Sequence, residues 1–384
     1  MRNMKTVPYA SMFTLSAPSP KWVWNAQGQL VEIPAGQPAW DHDPVTGEPL
    51  GQRIEPLEAL NLAKYSEDFM QWQGASEYYN ITNNVGGAPD GGDYQTIEKP
   101  GQVGVLTSEI TAPAGPAVVR LWFKNPQGFT GDWAFLLRNR DTASNLSYFL
   151  YVDSSGGTSG PAEVEQIGGW MRATFYYDGS GHSEGDRMIL YANAGPASGG
   201  SLDIWGYEYV PGVVASSYIP TAGVAAIRAA DVATIENVGT AAWFNENAFS
   251  IFLEAQVAAA SLNGFFSVSP ASGTEYAILF RAISGGIQAL QRFEGSTRST
   301  AVVPTDLTKP FRVAAAVTNG GELIMSVNGS PAVVLEDAAV APGQTIINFG
   351  RGFVGSGPSA AMTVQGFRSF KYALTASELQ ELTQ

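Results

Sequence analysis

Short segments in which apolar and polar residues alternate recur from about residue 66 to 214 and again from about residue 240 onward. In AVVRLWFKN, Val119 and Leu121 fall on one face of an extended strand, and Trp122 falls on the other. Clusters such as GGAPDGGD, DSSGGTSG and DGSGHSEGD separate these segments and supply turn residues. Alternation of period two between turn clusters predicts antiparallel β-sheets that bury one face in a core.

Two local motifs are more specific than the general alternation. In ELIMSVNGSPAVVLE, Asn328 and Gly329 supply the two positive-φ positions that a type I′ hairpin turn needs. In YALTASELQELTQ, Thr375 predicts a helix N-cap, and Glu378 stands three residues later as the partner in a capping box. We therefore expect a hairpin in the second half of the chain and a short closing helix of roughly two turns.

Composition favours strands over helices. The 43 Gly, 23 Pro, 9 Trp, 15 Tyr and 19 Phe residues, beside only 15% charged residues, are typical of many short strands joined by turns. A length of 384 residues exceeds one ordinary hydrophobic core. We predict an all-β chain of two tandem antiparallel β-sandwiches with an extended N-terminal arm and a short C-terminal helix. The predicted segments are an arm at 1–65, a first sandwich at 66–222, a connector at 223–239 and a second sandwich at 240–384.

Charge and cysteine content exclude several kinds of partner and site. A net charge of −14 without a cluster of Lys and Arg argues against binding to nucleic acid or to an anionic membrane surface. The absence of Cys excludes disulfides, thiolate metal sites and a Cys nucleophile. No run of 18 apolar residues predicts a membrane-spanning helix, and MRNMKTVPYASMFTLS lacks the apolar region of a signal peptide. We therefore expect no membrane insertion, and release by cell lysis rather than by secretion.

On three predicted strands, the face opposite the aliphatic core face carries both aromatic and charged residues, and we call it the mixed face. These mixed faces are candidates for sugar binding. A pyranose ring stacks its C–H face on Trp or Tyr, while neighbouring charged groups form hydrogen bonds to its hydroxyls. The candidate ligand-binding residues on these strands are Arg120, Trp122, Trp170, Arg172, Trp205 and Tyr207. The alternative is that this face packs against the N-terminal arm, the other sheet or another subunit.

Two loop sequences add further candidates, each with an ordinary alternative. Trp133 follows a Gly-Asp turn in FTGDWAF, so it is either a contact residue at a loop tip or the first residue of a strand. Asp90 and Asp93 in APDGGDYQ have the spacing of a structural Ca²⁺ site. Pro-Asp-Gly is also a common turn sequence, and two carboxylates supply only part of a calcium shell. No other cofactor is expected.

No catalytic residues are predicted. A laminarinase-like sandwich glycosidase needs two carboxylates on alternate positions of one strand, about 5 Å apart. SLDIWGYEYV lacks that pair, because Ser201 stands two residues before Asp203, where a glutamate would be required. Alternation also predicts that Asp203 and Glu208 point to opposite faces of the strand. We therefore expect a protein that is not an enzyme.

Three stretches of the chain are distinctive as sequences. They are WDHDPVTGEPLGQRIEPLEALNLAKYSEDF at 40–69, LDIWGYEYVPGVVASSYIPTAGVAAIRAAD at 202–231, and a C-terminal half with VNG, INFGRG and VQGFRSFKYALTASELQEL. Together they resemble bacteriophage virion proteins of the tail fibre and head fibre type, which carry tandem β-sandwich domains. The resemblance implies that the first sandwich is a jelly roll similar to carbohydrate-binding modules and that the second is concanavalin-like, of the laminin-G type.

The same resemblance implies a component of a virion, made in the host cytoplasm and commonly trimeric. Its first implied role is a fibre or spike subunit that docks on other virion proteins through the N-terminal arm and attaches to a host-surface glycan or protein. The alternative is a purely structural decoration or connector subunit whose aromatic faces lie between subunits. A third possibility is an enzyme that degrades surface polysaccharide.

Overall fold

The chain is built almost entirely from antiparallel β-strands. The computed structural model describes residues 13–99, 105–124, 132–153, 155–194, 200–258, 264–273, 275–307, 309–338, 343–352 and 359–384. Within these ranges its α-helices are α1 (Ala75–Tyr78) and α2 (Ala376–Leu382), and single 3₁₀ turns lie at Phe69–Gln71 and Val238–Thr240. The predicted all-β class is therefore confirmed.

Six short strands precede the first sandwich. They are β1 (Thr14–Ser16), β2 (Lys21–Trp24), β3 (Leu30–Ile33), β4 (Trp40–His42), β5 (Pro49–Ile54) and β6 (Ala59–Asn61). Strands β2 and β3 pair with each other as a hairpin, and β4 pairs with β5. Strands β1, β5 and β6 pair with strands from distant parts of the chain.

The first sandwich consists of a six-stranded and a five-stranded sheet. Its strands are β7 (Asn80–Asn84), β8 (Tyr94–Lys99), β9 (Leu106–Thr111), β10 (Ala117–Lys124), β11 (Trp133–Asn139), β12 (Ser144–Val152), β13 (Thr158–Ser159), β14 (Glu163–Ile167), β15 (Trp170–Tyr177), β16 (Arg187–Ala194) and β17 (Gly200–Pro211). The strand orders are β14-β15-β10-β17-β8-β7 and β13-β12-β11-β16-β9. Val119 and Leu121 from one sheet meet Phe135 and Leu137 from the other in a shared core, as alternation predicts for β10.

The second sandwich has larger sheets and a separate core. Its strands are β19 (Val232–Ile235), β20 (Phe249–Val257), β21 (Gly264–Ser269), β22 (Tyr276–Ile283), β23 (Gly286–Phe293), β24 (Ser296–Ser299), β25 (Val303–Pro304), β26 (Phe311–Val317), β27 (Leu323–Val327), β28 (Val333–Leu335), β29 (Ile346–Phe349) and β30 (Met362–Phe370). The preceding strand, β18 (Ala226–Arg228), pairs with β6 in a separate two-stranded sheet. One sheet runs β1-β19-β29-β21-β22-β23-β24 with β25 beside β23, and the other runs β28-β27-β26-β20-β30-β5-β4. Ile251 and Leu253 pack against Ile278 and Phe280 between these sheets.

The two specific local predictions are confirmed. Asn328 and Gly329 follow β27 with φ angles of +48° and +72°, and β28 pairs with β27 after the turn. The hydroxyl of Thr375 accepts from the backbone N–H of Glu378, and the Glu378 carboxylate accepts from the backbone N–H of Thr375. Both motifs are local, which is why the sequence alone specifies them.

The N-terminal segment is built into both halves of the molecule. Strand β1 pairs with β19 and strand β5 pairs with β30, so both extend sheets of the second sandwich. A Cβ at Gly51 would lie 2.3 Å from the carbonyl oxygen of Val364, so the approach of β5 to β30 requires glycine there. The described part of the predicted arm therefore packs against other strands of the same chain.

Buried ion pairs join this segment to the start of the second sandwich. The ammonium of Lys21 donates to the carboxylate of Asp231 at 2.7 Å, and both side chains are 2% exposed. Glu55 lies between Arg53 and Arg228, each at 3.3 Å, and accepts from the backbone N–H of Ser217 at 2.6 Å. Burial opposes ionisation of Glu55, but the two guanidiniums and Ser217 outweigh it and lower its pKa to about 2.

Candidate functional site

The mixed face of the six-stranded sheet gathers five of the predicted ligand residues. Trp122 stands opposite Arg172 on β15 and opposite Trp205 on β17. Arg120 lies two positions before Trp122 on the same face, and Trp170 begins β15. The guanidinium of Arg172 lies 5.4 Å from the centre of the Trp122 ring, a cation–π distance. The predicted strands are therefore neighbours.

Tyr207 does not lie on this face, and the prediction that placed it there is wrong. The register of β10 against β17 shifts between Arg120 and Trp122, and Gly206 lies at this bulge with a φ of +62°. A bulge inserts one extra residue and reverses the faces beyond it. The Tyr207 ring consequently points into the core of the sandwich, where it is fully buried beside Trp72 at 5.2 Å.

The same bulge overturns the predicted orientation of Glu208 relative to Asp203. Asp203 lies 3.6 Å from the ammonium of Lys124, and Glu208 lies 2.7 Å from the guanidinium of Arg120. Arg120 and Lys124 share one face of β10, so both carboxylates face the same way. At about 3.3 Å per residue they are about 13 Å apart along the strand, whereas paired glycosidase carboxylates are about 5–9.5 Å apart.

The N-terminal hairpin covers the aromatic residues of this face. Trp24 lies 5.7 Å from Trp122, and Tyr218 from the segment after β17 lies 4.7 Å from Trp205. Trp170 donates its indole N–H to a backbone carbonyl at 2.8 Å and is buried. These three predicted tryptophans form a small core with the hairpin, so their ring faces are not free to stack on a ligand. Packing against the arm was the alternative interpretation of this face.

Trp133 is not exposed at a loop tip. It begins β11 and is fully buried in the core of the first sandwich. Its ring is stacked on Phe135 at 6.5 Å and lies 6.1 Å from Tyr79. Of the two interpretations of FTGDWAF, the structure supports the one in which Trp133 is the first residue of a strand.

Burial makes the ion pair between Arg120 and Glu208 unusual. The Glu208 side chain is 1% exposed and also accepts from the backbone N–H of Ile219 at 3.0 Å. Burial raises the pKa of Glu208 to about 7, although Arg120, the Ile219 N–H and Arg172 each act to lower it. Arg120 therefore faces a carboxyl group that holds its proton more tightly than an ordinary glutamate.

An exposed aromatic pair lies on the other sheet of the same sandwich. The rings of Tyr148 and Tyr151 on β12 are 5.6 Å apart and within 13° of parallel, with exposed fractions of 42% and 41%. The side-chain amide of Asn145 donates to the hydroxyl of Tyr148 at 3.1 Å. Arg138 donates to the hydroxyl of Tyr191 at 3.4 Å in the adjoining strands. We call Tyr148 and Tyr151 the tyrosine platform.

The sequence signal for this platform is misleading. Residues three apart on a regular strand point to opposite faces, so SYFLYV assigns Tyr148 and Tyr151 to different sides. The pairing of β11 with β12 shifts between Phe135 and Leu136, opposite Leu150 and Tyr148, which places a bulge at Phe149. That extra residue brings both tyrosines to the solvent face.

Asp90 and Asp93 act as turn carboxylates. Asp90 accepts from the backbone N–H of Gly92 at 2.8 Å, and Asp93 accepts from that of Gly86 at 2.9 Å. No group of three or more His, Cys, Asp or Glu side chains that could hold a metal ion occurs among the described residues. Calcium binding stays a prediction. No described helix is long and apolar enough to cross a membrane.

An open groove of about 420 Å³ lies on the second sandwich. Its lining consists of loop residues between strands: Asn247, Thr318, Asn319, Gly320, Gly321, Asp337 and Ala338. This lining contains no aromatic side chain, so it offers a sugar hydrogen bonds without a stacking surface. The first sandwich is therefore the stronger candidate.

Comparison with known proteins gives similarity only to solved structures. No family model and no curated protein sequence matches this chain. It is similar to the receptor-binding domain of botulinum neurotoxin mosaic serotype C/D, with a TM-score of 0.31 and 11% identity over 40% of this chain and 39% of that chain. It is also similar to the CBM40 of Ruminococcus gnavus IT-sialidase, solved with α2,3-sialyllactose, with a TM-score of 0.30 and 14% identity over 36% of this chain and 83% of that chain. The match spans about two fifths of the length of the botulinum chain.

Proposed function

We propose that this chain is a non-enzymatic attachment subunit of a phage-type particle and that its first sandwich binds a host-surface glycan. The tyrosine platform is the observation that carries the proposal. Large aromatic side chains are usually buried, yet Tyr148 and Tyr151 present parallel rings to solvent on the open face of a sheet. The exposed ring surface of this stacked pair suits the apolar C–H face of a sugar.

Polar groups around the platform suit the hydroxyls of a sugar. Asn145 lies in the same strand as the two tyrosines, and its amide reaches the hydroxyl of Tyr148. Arg138 lies opposite Asn145 and reaches Tyr191. A few placed polar groups beside an apolar surface are typical of sites that fix the orientation of a ligand. The face therefore combines stacking with hydrogen bonding.

The structural alternative loses its main support. It requires the aromatic residues of the mixed face to be buried between subunits. Trp122, Trp170 and Trp205 are instead buried by the hairpin and by Tyr218 of the same chain. No partner is needed to cover them, which favours attachment over a purely structural role.

Glycan binding is tested on an array of bacterial surface glycans and on host envelope extracts. We expect the Tyr148→Ala/Tyr151→Ala variant to bind the best glycan at least tenfold more weakly, a loss of about 1.4 kcal/mol. Trp40→Ala removes a similarly exposed aromatic, 46% exposed, from the second sandwich and should bind normally. If the unaltered chain binds no glycan or extract, the attachment role is wrong. Release of reducing ends would instead indicate an enzyme.

The particle context is a separate part of the proposal and rests on the resemblance to fibre proteins. We expect antibodies to the chain to label purified phage particles in electron micrographs. Light scattering of the purified chain should give the mass of a trimer at micromolar concentration. A chain absent from particles would contradict the virion assignment, whereas a stable monomer would contradict only the trimeric form.

A further inference from the structure

A narrow cleft of about 180 Å³ remains open beside the buried tryptophans. The N-terminal hairpin forms one wall with Trp22 and Trp24, and the mixed face forms the other. Residues 215–218 close one side. It is smaller than the roughly 300–1,000 Å³ of pockets that enclose drug-sized ligands, so it has room for about one sugar ring.

Three arginine side chains converge on this cleft. Arg53 comes from the N-terminal segment, Arg120 from β10 and Arg172 from β15, and all three line it. The pKa of Arg172 reflects their proximity. Burial is the largest cause that lowers this pKa, and the positive charges of Arg120 and Arg53 lower it further. Glu163, Glu165 and Glu208 also line the cleft, but burial raises the pKa of Glu208 and so reduces the negative charge beside Arg120. The cleft therefore offers guanidinium donors whose charge is only partly compensated.

Each of these guanidiniums has bonding capacity left over. Arg53 pairs with Asp41 at 2.9 Å and with Glu55 at 3.3 Å. Arg120 pairs with Glu208 at 2.7 Å, and Arg172 pairs with Glu165. The Nε–H of all three arginines nevertheless has no acceptor among the described residues. The Arg120 side chain lines the cleft and is only 9% exposed, so its unpaired N–H is buried. A buried donor without an acceptor is costly, and a ligand oxygen relieves that cost.

The remaining lining suits a sugar ring rather than a bare anion. Thr174 and Ser216 supply hydroxyls, and Glu163 at the rim can accept from sugar hydroxyls. Tyr176 is 45% exposed beside the cleft and Trp22 is partly exposed, so both aromatic side chains have uncovered surface. The cleft therefore offers stacking, hydrogen-bond acceptors and guanidinium donors together.

We infer that the cleft is a second ligand site, which binds one carboxylate-bearing sugar unit such as a uronic acid residue. The carboxylate oxygens accept from Arg120 and Arg172, because a guanidinium fork matches the geometry of a carboxylate. The ring lies between the hairpin and the mixed face, and its hydroxyls meet Thr174 and Glu163. This site lies on the opposite sheet from the tyrosine platform and does not depend on it.

The test is a titration of the full chain with free glucuronate and galacturonate, monitored by ligand-observed NMR. The neutral parent sugars and acetate are titrated in the same way for comparison. We expect the sugar acids to bind at least tenfold more tightly than either glucose or galactose, and more tightly than acetate. Arg172→Gln should weaken sugar-acid binding at least tenfold, and Arg172→Lys should restore only part of it, since lysine keeps the charge but not the fork.

Controls separate this site from the rest of the molecule. Arg187→Gln removes an exposed arginine paired with Asp141 on the other sheet and should bind the sugar acids normally. The Tyr148→Ala/Tyr151→Ala variant should also bind them normally, so the two sites can fail separately. Circular dichroism identifies any variant that fails to fold. Equal binding of neutral and acidic sugars, no binding of either, or normal binding by a folded Arg172→Gln variant would overturn the inference.

Discussion

Lys21→Met is expected to lower the free energy of unfolding by about 3–5 kcal/mol, because it leaves the buried carboxylate of Asp231 without its cation. The two side chains are each 2% exposed, and their 2.7 Å bond joins the N-terminal segment to the start of the second sandwich. Asp231 also accepts from the backbone N–H of Glu55 at 2.7 Å, so its charge is held in place. Urea unfolding followed by circular dichroism measures the loss.

Two controls make this prediction specific. Lys309→Met breaks an exposed pair with Asp306 and should change the unfolding free energy by no more than about 1 kcal/mol. Lys21→Met/Asp231→Asn removes both buried charges, keeps an acceptor for the backbone N–H of Glu55, and should recover most of the stability lost in Lys21→Met. A single Lys21→Met variant as stable as Lys309→Met would show that the N-terminal segment is not anchored by this pair.

Trp24→Ala is expected to cost about 3–5 kcal/mol, the usual range for removing a buried tryptophan. Trp24 is the residue of the hairpin that lies on Trp122, at 5.7 Å. Its removal admits water to Trp122 and Trp205, so their fluorescence emission should shift to longer wavelength in the folded state. Thermal unfolding and emission spectra measure the two effects.

Trp40→Ala is the matched control for Trp24→Ala. Trp40 is 46% exposed on β4, and a surface substitution of this kind usually changes stability by about 0.5 kcal/mol or less. In Trp40→Ala, the fluorescence emission should lose only the contribution of the Trp40 indole. A Trp24→Ala variant with the stability of the control would contradict the role of the hairpin as the cover of the mixed face.

Local sequence patterns correctly predicted which strand face enters the core and where the last helix begins. Period-two alternation placed Val119 and Leu121 in a core, and the capping box at Thr375 began the last helix where expected. These features depend on residues close in sequence, so the sequence alone specifies them. The boundary proposed at residues 223–239 stays a prediction.

Two bulges account for most of the errors at the candidate sites. The extra residue at Gly206 turned Tyr207 into the core and Glu208 onto the mixed face. The extra residue at Phe149 brought Tyr148 and Tyr151 together. A bulge shifts the strict alternation by one residue, and nothing in simple periodicity marks where it occurs.

The covering of the mixed face depended on contacts distant in sequence. Trp24 and Trp122 are about one hundred positions apart in the chain, and each lies in an ordinary alternating strand. Alternation shows which side a residue faces but not what lies against that side. The mixed face, which was predicted to bind a ligand, is therefore part of a small core, and one cleft lies at the edge of that core.

The most direct test of the proposed attachment role is a crystal structure of the chain with the glycan that binds it best. We expect sugar rings stacked on Tyr148 and Tyr151, with hydroxyls bonded to Asn145 or Arg138. A glycan bound only to the second sandwich, with the tyrosine platform free and not blocked by a lattice neighbour, would contradict this account.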